Sequence, residues 1–343
     1  MAEMTATRER TRERPAPDVQ AGVQRGVHTA RNPGMPLDLG WAHEARINRS
    51  AVERRAATLV TRRTVKKEWQ AAWLLRAITV IDLTTLAGDD TPGTVRRLCA
   101  KARQPVRADV LAALDAQDLG VTVGAVCVYH NLVRTAVEAL AGSGIPVAAV
   151  STGFPAAQIA HGQKLAEIAA SVEAGAAEID TVISRAHVLT GDWQALYDEV
   201  QDFRAACGEA HMKVILATGE LGTLRNVGMA SLVAMMAGAD FIKTSTGKES
   251  TNATLPVSLV MARAIRDYHE RTGYRVGFKP AGGIRTAKNA LDWLALMKEE
   301  LGDEWLRPTL FRIGASGLLG DIERQLEHHV TGRYAAAHHN PMA

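Results

Sequence analysis

Short apolar runs alternate with longer amphipathic segments along most of this chain. From about residue 77 to about residue 330, each run rich in Val, Ile and Ala is followed by a segment with apolar residues at helical spacing, such as VRRLCAKA or SLVMARAIRDYH. Strands that are apolar almost throughout and are joined by helical crossovers indicate a parallel sheet buried on both faces. The strand candidates are AITVIDL (77–83), VTVGAVCV (121–128), IPVAAVS (145–151), AEIDTVI (177–183), MKVILAT (212–218), ADFIKTS (239–245), VGFKPAG (276–282) and TLFRIGA (309–315).

The number of these units predicts the architecture. Eight strand–helix units within about 250 residues are typical of a closed (β/α)8 barrel rather than of an open doubly wound sheet. An open sheet of that kind normally carries a G-x-G-x-x-G fingerprint after its first strand, and none follows the first candidate strand here. We therefore predict an α/β fold, a (β/α)8 TIM barrel with an N-terminal helical extension.

Four regions differ in composition. Residues 1–35 are polar, rich in arginine and interrupted by prolines, which predicts a disordered segment. Residues 36–75 form the predicted helical extension, in which Ala and Leu are interleaved with basic side chains. Residues 76–330 form the predicted barrel, and residues 331–343 form a C-terminal tail.

Bulk composition narrows the classes of function. The net charge of +3 gives no reason to expect a polyanionic partner, and the basic residues of the helical extension are interpreted as a solvated face, not a nucleic-acid site. No apolar run reaches the roughly 18 residues of a membrane span, and the N-terminus lacks an apolar signal region. Three cysteines do not make a disulfide framework. These features predict a cytoplasmic protein without membrane or nucleic-acid partners.

Four charged residues lie inside or at the ends of the predicted strands. They are Asp82, Asp180, Lys243 and Lys279, each on a different strand. Aspartate and lysine are almost never fully buried unless they are paired, so a structural salt-bridge cluster is one explanation. Chemistry in a barrel belongs at the carboxyl ends of its strands, and two lysines with two aspartates on four strands favour a reactive site.

Two lysines at one barrel mouth suggest amine chemistry. A free lysine has a pKa of about 10.4, which leaves only about one molecule in a few thousand neutral and nucleophilic at pH 7. Burial and a neighbouring cation both disfavour the charged form. One lysine can therefore form an imine with a carbonyl substrate while the other lowers its pKa. The residues alone do not decide which lysine has which role.

Two glycine-containing loops suggest a phosphate site. Residues 281–285 (AGGIR) follow the seventh predicted strand, and residues 314–317 (GASG) follow the eighth. Glycines let backbone N–H groups approach an anion, a following helix adds its positive end, and barrels often bind phosphate at this pair of loops. Tight strand-to-helix turns are the alternative explanation, and the pairing of the loops favours a phosphate cradle.

No coherent set of metal ligands is present in the sequence. His43 and Glu44 do not continue into H-E-x-x-H, and the adjacent histidine pairs near the C-terminus lack the spacing of a zinc site. The STGKE segment around Lys248 lacks the first glycine of a P-loop. We therefore predict no metal and no cofactor.

The residues at these positions resemble the deoxyribose-phosphate aldolase family. The resemblance covers about residues 75 to 320 and extends to flanking segments similar to the longer, animal-type branch. DFIKTSTGK together with GFKPAGGIR is a highly specific pair. The matching segments, in family order, are IDLTTL, AVCVY, GAAEIDTVI, KVILATGEL, DFIKTSTGKE, VGFKPAGGIRTA and LFRIGAS.

The resemblance implies an activity and a role for each matched residue. The activity is reversible cleavage of 2-deoxy-D-ribose 5-phosphate to acetaldehyde and D-glyceraldehyde 3-phosphate, in deoxyribonucleotide catabolism. Lys243 would be the Schiff-base lysine, Lys279 the lysine that depresses its pKa, and Asp180 the carboxylate that transfers protons with Lys279 and a water. Asp82 would order the lysine network, and Cys127 would lie near the substrate. The positions expected to hold the sugar phosphate are Thr246, Lys248, Gly282, Gly283, Gly314 and Ser316.

Three positions depart from the family pattern. Gly317 stands where many members carry Ser or Thr, so one hydroxyl contact to phosphate is expected to be missing. His130 stands where proline is common, and no role is assigned to it. Tyr334 is followed by nine residues, so the role of the terminal tyrosine of short bacterial members cannot be transferred to it.

Two alternatives to this function remain at this stage. One is another Schiff-base aldolase that acts on a different phosphosugar, and the other is a non-catalytic barrel used as a binding or scaffold protein. The expected partners are small-molecule substrates, namely 2-deoxyribose 5-phosphate, acetaldehyde and glyceraldehyde 3-phosphate. Barrels of this kind often self-associate, so a homo-oligomer is also expected.

Overall fold

The computed structural model describes residues 30–62 and 64–340, and these contain the predicted barrel. All eight predicted strands are present, and each is shorter than the apolar run that predicted it. The strands are β1 (Ile81–Thr84), β2 (Ala125–Tyr129), β3 (Val147–Ser151), β4 (Glu178–Val182), β5 (His211–Ile215), β6 (Phe241–Lys243), β7 (Gly277–Lys279) and β8 (Ile313–Ala315).

The strands form one parallel sheet that closes on itself. Their order is β7-β6-β5-β4-β3-β2-β1-β8, so each strand lies beside its neighbour in sequence and β1 pairs with β8. Parallel bridges between Phe278 and Phe311 and between Ala281 and Gly314 join β7 to β8. The prediction of a (β/α)8 barrel is confirmed, and closure brings the carboxyl ends of all eight strands to one mouth.

Helices surround the barrel and extend beyond it at the N-terminus. Threonine or aspartate side chains cap the helices that begin at Pro92, Trp193, Leu224, Leu255 and Ala287. Each accepts a hydrogen bond from a backbone N–H of the first turn, which is why these helices begin where they do. The helices are α1 (Leu39–Glu44), α2 (Arg49–Arg62), α3 (Lys67–Thr79), α4 (Pro92–Arg103), α5 (Ala108–Ala113), α6 (Val133–Ala139), α7 (His161–Glu173), α8 (Arg185–Thr190), α9 (Trp193–Cys207), α10 (Leu224–Met236), α11 (Leu255–Thr272), α12 (Ala287–Leu301) and α13 (Leu318–Thr331).

The first predicted strand begins too early. Residues 77–79 belong to the end of α3, and the strand starts only at Ile81. Ala77 and Ile78 are fully buried because α3 packs against α12 and α13. A short apolar run looks the same in a buried helix end as in a buried strand, so the pattern could not separate them.

The N-terminal segment is anchored to the side of the barrel where the strands begin. Asn32 is buried, and its side-chain amide donates hydrogen bonds to the backbone oxygens of Met235 and Ala239 at 2.8 and 3.0 Å. Helices α1 and α2 pack on α10 and α11, respectively. Residues 1–29, the larger part of the predicted disordered segment, lie outside the described residues, and the domain boundaries stay predictions. Within the described residues, no helix is long and apolar enough to span a bilayer.

Candidate active site

Seven charged side chains meet inside the barrel. Each is at most 4% exposed, so the cluster is shielded from bulk water. Ion pairs between four cations and three carboxylates connect all its members. This arrangement makes it a polar core within an otherwise apolar barrel. The members of this buried charge cluster are Asp82, Glu178, Asp180, Lys213, Lys243, Lys279 and Arg312.

Asp180 lies at the centre of the three lysines. Its Oδ2 atom accepts hydrogen bonds from Nζ of Lys243 and from Nζ of Lys279, each at 2.7 Å. Its Oδ1 atom accepts a hydrogen bond from Nζ of Lys213 at 3.0 Å. The sequence-predicted trio of Lys243, Lys279 and Asp180 is therefore in direct contact, although the residues are far apart along the chain.

A second tier of ion pairs lies beneath this trio. Nζ of Lys279 is 2.5 Å from Oδ2 of Asp82, and the Arg312 guanidinium donates to Oδ1 of Asp82 at 2.6 Å. The same guanidinium donates to Glu178 at 2.8 Å, and Nζ of Lys213 donates to Glu178 at 2.5 Å. Asp82 thus contacts Lys279 and Lys213, and the Arg312 guanidinium holds Asp82 in place. That Asp82 orders the lysine network stays a prediction.

Lys213, Glu178 and Arg312 were not predicted as site residues. All three lie within apolar runs that predicted strands, which is the same signal that identified Asp82 and Asp180. Glu178 and Asp180 are two residues apart on β4, so their side chains point to the same face of the strand. Charged residues at that spacing in a buried strand were the available indication of an interior network.

The cluster contains one more cation than it has carboxylates. If every member were ionised, four positive groups would face three negative groups in a region of low dielectric constant. Uncompensated charge in such a region is costly, so loss of one proton from a lysine relieves the imbalance. The lysine with the fewest carboxylate contacts is the one expected to lose it, and that lysine is Lys243.

The pKa shifts of the two candidate lysines have opposite directions. Burial and the positive charge of Lys279 lower the pKa of Lys243 below the usual lysine value, against the opposing effect of Asp180. Burial would also lower the pKa of Lys279, but the carboxylates of Asp180 and Asp82 outweigh it and raise that pKa. Lys279 therefore stays protonated, whereas Lys243 loses its proton at a lower pH. The surrounding cations also hold the pKa of Asp180 well below its usual range, despite its burial.

A cavity of about 610 Å³ opens at the carboxyl ends of the strands. Of the seven members of the buried charge cluster, Lys243 lines this cavity, while the other six are absent from its walls. A substrate in the cavity would therefore meet Lys243 before any other member of the cluster. The ends of β1 and β8 and the loops after β1, β6, β7 and β8 form the remaining walls, with residues 84–87, 246–248, 281–285 and 314–317.

All six residues predicted to hold a sugar phosphate line this cavity: Thr246, Lys248, Gly282, Gly283, Gly314 and Ser316. The backbone N–H groups of Gly283 and Ser316 donate no hydrogen bond to another described residue, so they are available to an anion. Helix α13 begins directly after this wall, at Leu318, and its positive end faces the same region.

Glycine is required at two of these wall positions. Gly282 has φ +81°, and a Cβ there would lie 2.6 Å from Cγ of Asn252. A Cβ at Gly314 would lie 2.9 Å from Cβ of Ala281 and 3.2 Å from Cε of Lys279. The wall therefore approaches both the loop after β6 and the lysine stem too closely for a side chain.

Thr246 and Lys248 have contacts that the sequence did not indicate. The backbone N–H and the hydroxyl of Thr246 both donate to Oε1 of Glu249, at 2.9 and 2.7 Å. Nζ of Lys248 donates to the backbone oxygen of Leu86 at 3.1 Å, across the cavity mouth. Both hydrogen-bond donors of Thr246 are thus used within its own loop, whereas the side chain of Lys248 is an exposed cation at the rim of the cavity. Contact of either residue with phosphate stays a prediction.

Cys127 is fully buried at β2 and is absent from the cavity wall. It packs with Ala148 and Val150, and burial raises the pKa of its thiol. Gly317 lines the cavity next to Ser316, and His130 contacts Ser171 through its ring nitrogen at 3.0 Å. Cys127 therefore does not line the cavity, and its proximity to the substrate stays a prediction.

In residues 30–62 and 64–340, no group of three His, Cys, Asp or Glu side chains is arranged to hold a metal ion. The absence of a metal or cofactor from the reaction stays a prediction of the sequence.

The chain is similar to known aldolases along most of its length. A family model described as DeoC/LacD family aldolase matches residues 76–319. The protein called deoxyribose-phosphate aldolase in Mus musculus is 66% identical over 312 residues, covering 90% of this chain and 98% of the relative. The protein of the same description in Homo sapiens is 63% identical over 317 residues, covering 92% of this chain and 100% of the relative.

Solved structures resemble the chain in fold. A putative deoxyribose-phosphate aldolase from Toxoplasma gondii has a TM-score of 0.64 at 22% identity, covering 80% of this chain and 100% of that structure. A putative deoxyribose-phosphate aldolase from Coccidioides immitis has a TM-score of 0.58 at 23% identity, covering 80% of this chain and 97% of that structure. At these identities the likeness supports the barrel fold alone.

Proposed function

The chain belongs to the DeoC/LacD family of aldolases, and we propose that it cleaves 2-deoxy-D-ribose 5-phosphate reversibly through a Schiff base on Lys243. The observation that carries this proposal is the asymmetry between two buried lysines. Lys243 opens onto the cavity and has a lowered pKa, while Lys279 behind it has a raised pKa. A neutral amine beside a fixed ammonium ion is the arrangement that imine chemistry needs.

Imine formation begins at Nζ of Lys243. Its lone pair attacks the aldehyde carbon of the open-chain sugar, and the carbonyl oxygen takes up a proton to give a carbinolamine. A second proton transfer to that hydroxyl expels water and leaves a protonated imine. Lys279 and Asp180, which contact each other at 2.7 Å and both lie beside Lys243, are placed to carry these protons with a water molecule.

Carbon–carbon cleavage follows from the protonated imine. The hydroxyl on the third carbon of the sugar loses its proton, the bond between the second and third carbons breaks, and its electron pair moves into the imine. The products at this stage are D-glyceraldehyde 3-phosphate and an enamine on Lys243. Protonation of the enamine carbon and hydrolysis then release acetaldehyde and regenerate the amine. The covalent route replaces one difficult carbanion step with easier ones.

The phosphate end of the substrate is assigned to the glycine-containing wall. The unpaired N–H groups of Gly283 and Ser316, the start of α13 and the ammonium of Lys248 supply positive potential there. Lys243 and this wall line the same cavity, so one substrate molecule can present its carbonyl carbon to the amine and its phosphate to the wall. The substrate fits deoxyribonucleotide catabolism, because it is the sugar phosphate that remains after the base is removed.

Trapping with borohydride tests the proposal. Acetaldehyde and borohydride should leave a reduced two-carbon adduct on Lys243, located by peptide mass mapping, and the adduct should be absent in Lys243→Ala. The intact chain should cleave 2-deoxyribose 5-phosphate much faster than hexose phosphates, which separates this activity from that of another Schiff-base phosphosugar aldolase. An adduct on Lys279 would reverse the assignment of the two lysines.

A further inference from the structure

A buried glutamate holds the loop after β6. Glu249 is 9% exposed and lies outside the buried charge cluster, yet it comes directly after residues 246–248, which line the cavity. We infer that Glu249 is a positioning residue that holds the loop of residues 246–248 in the shape needed to bind the substrate's phosphate. The inference rests on the proposed function, because it assumes that this cavity takes a sugar phosphate.

Glu249 acts through Thr246. One carboxylate oxygen, Oε1, accepts both the backbone N–H of Thr246 at 2.9 Å and its hydroxyl at 2.7 Å. The Thr246 hydroxyl oxygen in turn accepts the backbone N–H of Lys248 at 3.1 Å. This chain of three hydrogen bonds fixes the direction of the backbone on both sides of Gly247, a residue with φ +84°. The position of Lys248 at the cavity rim therefore depends on Glu249.

The same loop is wedged between its two neighbours. Nδ2 of Asn252 donates to the backbone oxygen of Glu249 at 3.0 Å, and Asn252 packs against Gly282, where an added Cβ would come within 2.6 Å. On the other side, a Cβ at Gly219 would lie 1.9 Å from the backbone oxygen of Thr251. The loop therefore links the loop after β5 to the glycine wall after β7, and a shift at Glu249 would be passed to Gly282.

Glu249 is not itself suited to contact phosphate. An ionised carboxylate only accepts hydrogen bonds, as a phosphate does, and Glu249 is absent from the cavity wall. Its second oxygen, Oε2, is buried and has no hydrogen-bond partner among the described residues. Only one acceptor oxygen is therefore in use, and a glutamine side chain could supply it.

The test compares Glu249→Ala and Glu249→Gln in the full chain, with Glu220→Ala as the matched control. Glu220 is a carboxylate on the neighbouring loop that pairs with Arg185 and does not contact Thr246. For each protein, kcat and KM are measured with 2-deoxyribose 5-phosphate and with unphosphorylated 2-deoxyribose. Acetaldehyde trapping on Lys243 checks that the buried charge cluster is intact.

We expect Glu249→Ala to raise KM for the phosphorylated substrate by about tenfold or more, the order expected from losing two hydrogen bonds to a charged acceptor. Its kcat, its kcat/KM for 2-deoxyribose and its trapping rate should stay near the wild-type values. Glu249→Gln should bring KM most of the way back to the wild-type value, and Glu220→Ala should resemble wild type.

Three outcomes would overturn the inference. Equal losses on both substrates in Glu249→Ala would mean that the residue only supports the fold. A Glu249→Gln variant as impaired as Glu249→Ala would mean that charge, not the acceptor to Thr246, is what matters. If the wild-type chain did not prefer the phosphorylated substrate, the proposed phosphate site itself would be wrong. That result is distinguishable from a failure of the role of Glu249, because it is seen before any variant is made.

Discussion

Lys243 and Lys279 are register partners on the neighbouring parallel strands β6 and β7, and both donate to the same oxygen of Asp180 at 2.7 Å. Two ammonium ions that share one acceptor repel each other, and the surroundings of the two lysines differ. Lys279 has a second carboxylate, Asp82, at 2.5 Å, whereas Lys243 has the open cavity on its other side. The proton is therefore released more easily from Lys243.

Replacing Lys279 should raise the pKa of Lys243. In Lys279→Met, the neighbouring positive charge that lowers this pKa is gone, and Asp180 is left to favour the ammonium form. Because only the neutral amine reacts, acetaldehyde trapping near pH 7 should slow by about two orders of magnitude and recover as the pH is raised through the new pKa. The measurement is the trapping rate as a function of pH.

A buried lysine outside the cluster provides the control for that experiment. Lys164 pairs with Glu199 at 2.8 Å on the helical layer, so Lys164→Met removes a comparable buried charge without touching Asp180. Its trapping profile should keep the wild-type midpoint. If Lys279→Met also kept that midpoint, the proposed effect of Lys279 on Lys243 would be wrong.

Replacing Asp180 should lower the pH midpoint of acetaldehyde trapping on Lys243. Asp180 raises the pKa of Lys243, so Asp180→Asn should shift the trapping profile to lower pH. Cleavage of 2-deoxyribose 5-phosphate should nevertheless fall by about 10²- to 10⁴-fold, the usual loss when a proton-transferring group is removed. Opposite shifts in Asp180→Asn and Lys279→Met, read from one assay, would support both assignments. Shifts in the same direction would contradict them.

The Arg312 guanidinium should be important for stability. It contacts Asp82 and Glu178 inside the barrel, so Arg312→Met leaves two buried carboxylates short of a partner and should cost about 3–5 kcal/mol in the free energy of unfolding. Urea unfolding measures this cost. Adding Glu178→Gln to Arg312→Met should recover part of it, because one uncompensated charge is removed. A double variant less stable than the single one would rule out this explanation.

A serine at position 317 should strengthen phosphate binding. Gly317 lines the cavity with φ −88°, and nothing lies within 4 Å of where its Cβ would be, so a side chain fits without strain. Gly317→Ser should lower KM for 2-deoxyribose 5-phosphate a few-fold, the effect of about 1 kcal/mol from one added hydrogen bond, without changing kcat. Gly317→Ala adds the same Cβ without the hydroxyl and should leave KM unchanged. Equal KM values in the two variants would mean that the serine hydroxyl does not reach the phosphate.

The sequence was sufficient to predict the barrel and much of the site. The alternation of apolar runs and amphipathic segments depends only on local periodicity, and it correctly indicated eight parallel strands. Asp82, Asp180, Lys243 and Lys279 could be recognised because a charged residue in a buried strand needs a partner or a function. Residues 77–79 were assigned to the wrong element, since a buried helix end has the same apolar composition as a strand.

Tertiary structure alone decided how the charges are shared. The register between β6 and β7 and the closure of the sheet determine which carboxylates each lysine meets, and no local pattern carries that information. Arg312 and Glu178, which form an ion pair, are 134 residues apart along the chain. The hydrogen bonds of Thr246 go to Glu249, and Glu249 is buried because three loops pack together. Sequence specifies which ionisable groups the barrel contains, but their protonation depends on distances and solvent exclusion, which arise only when the strands close around them.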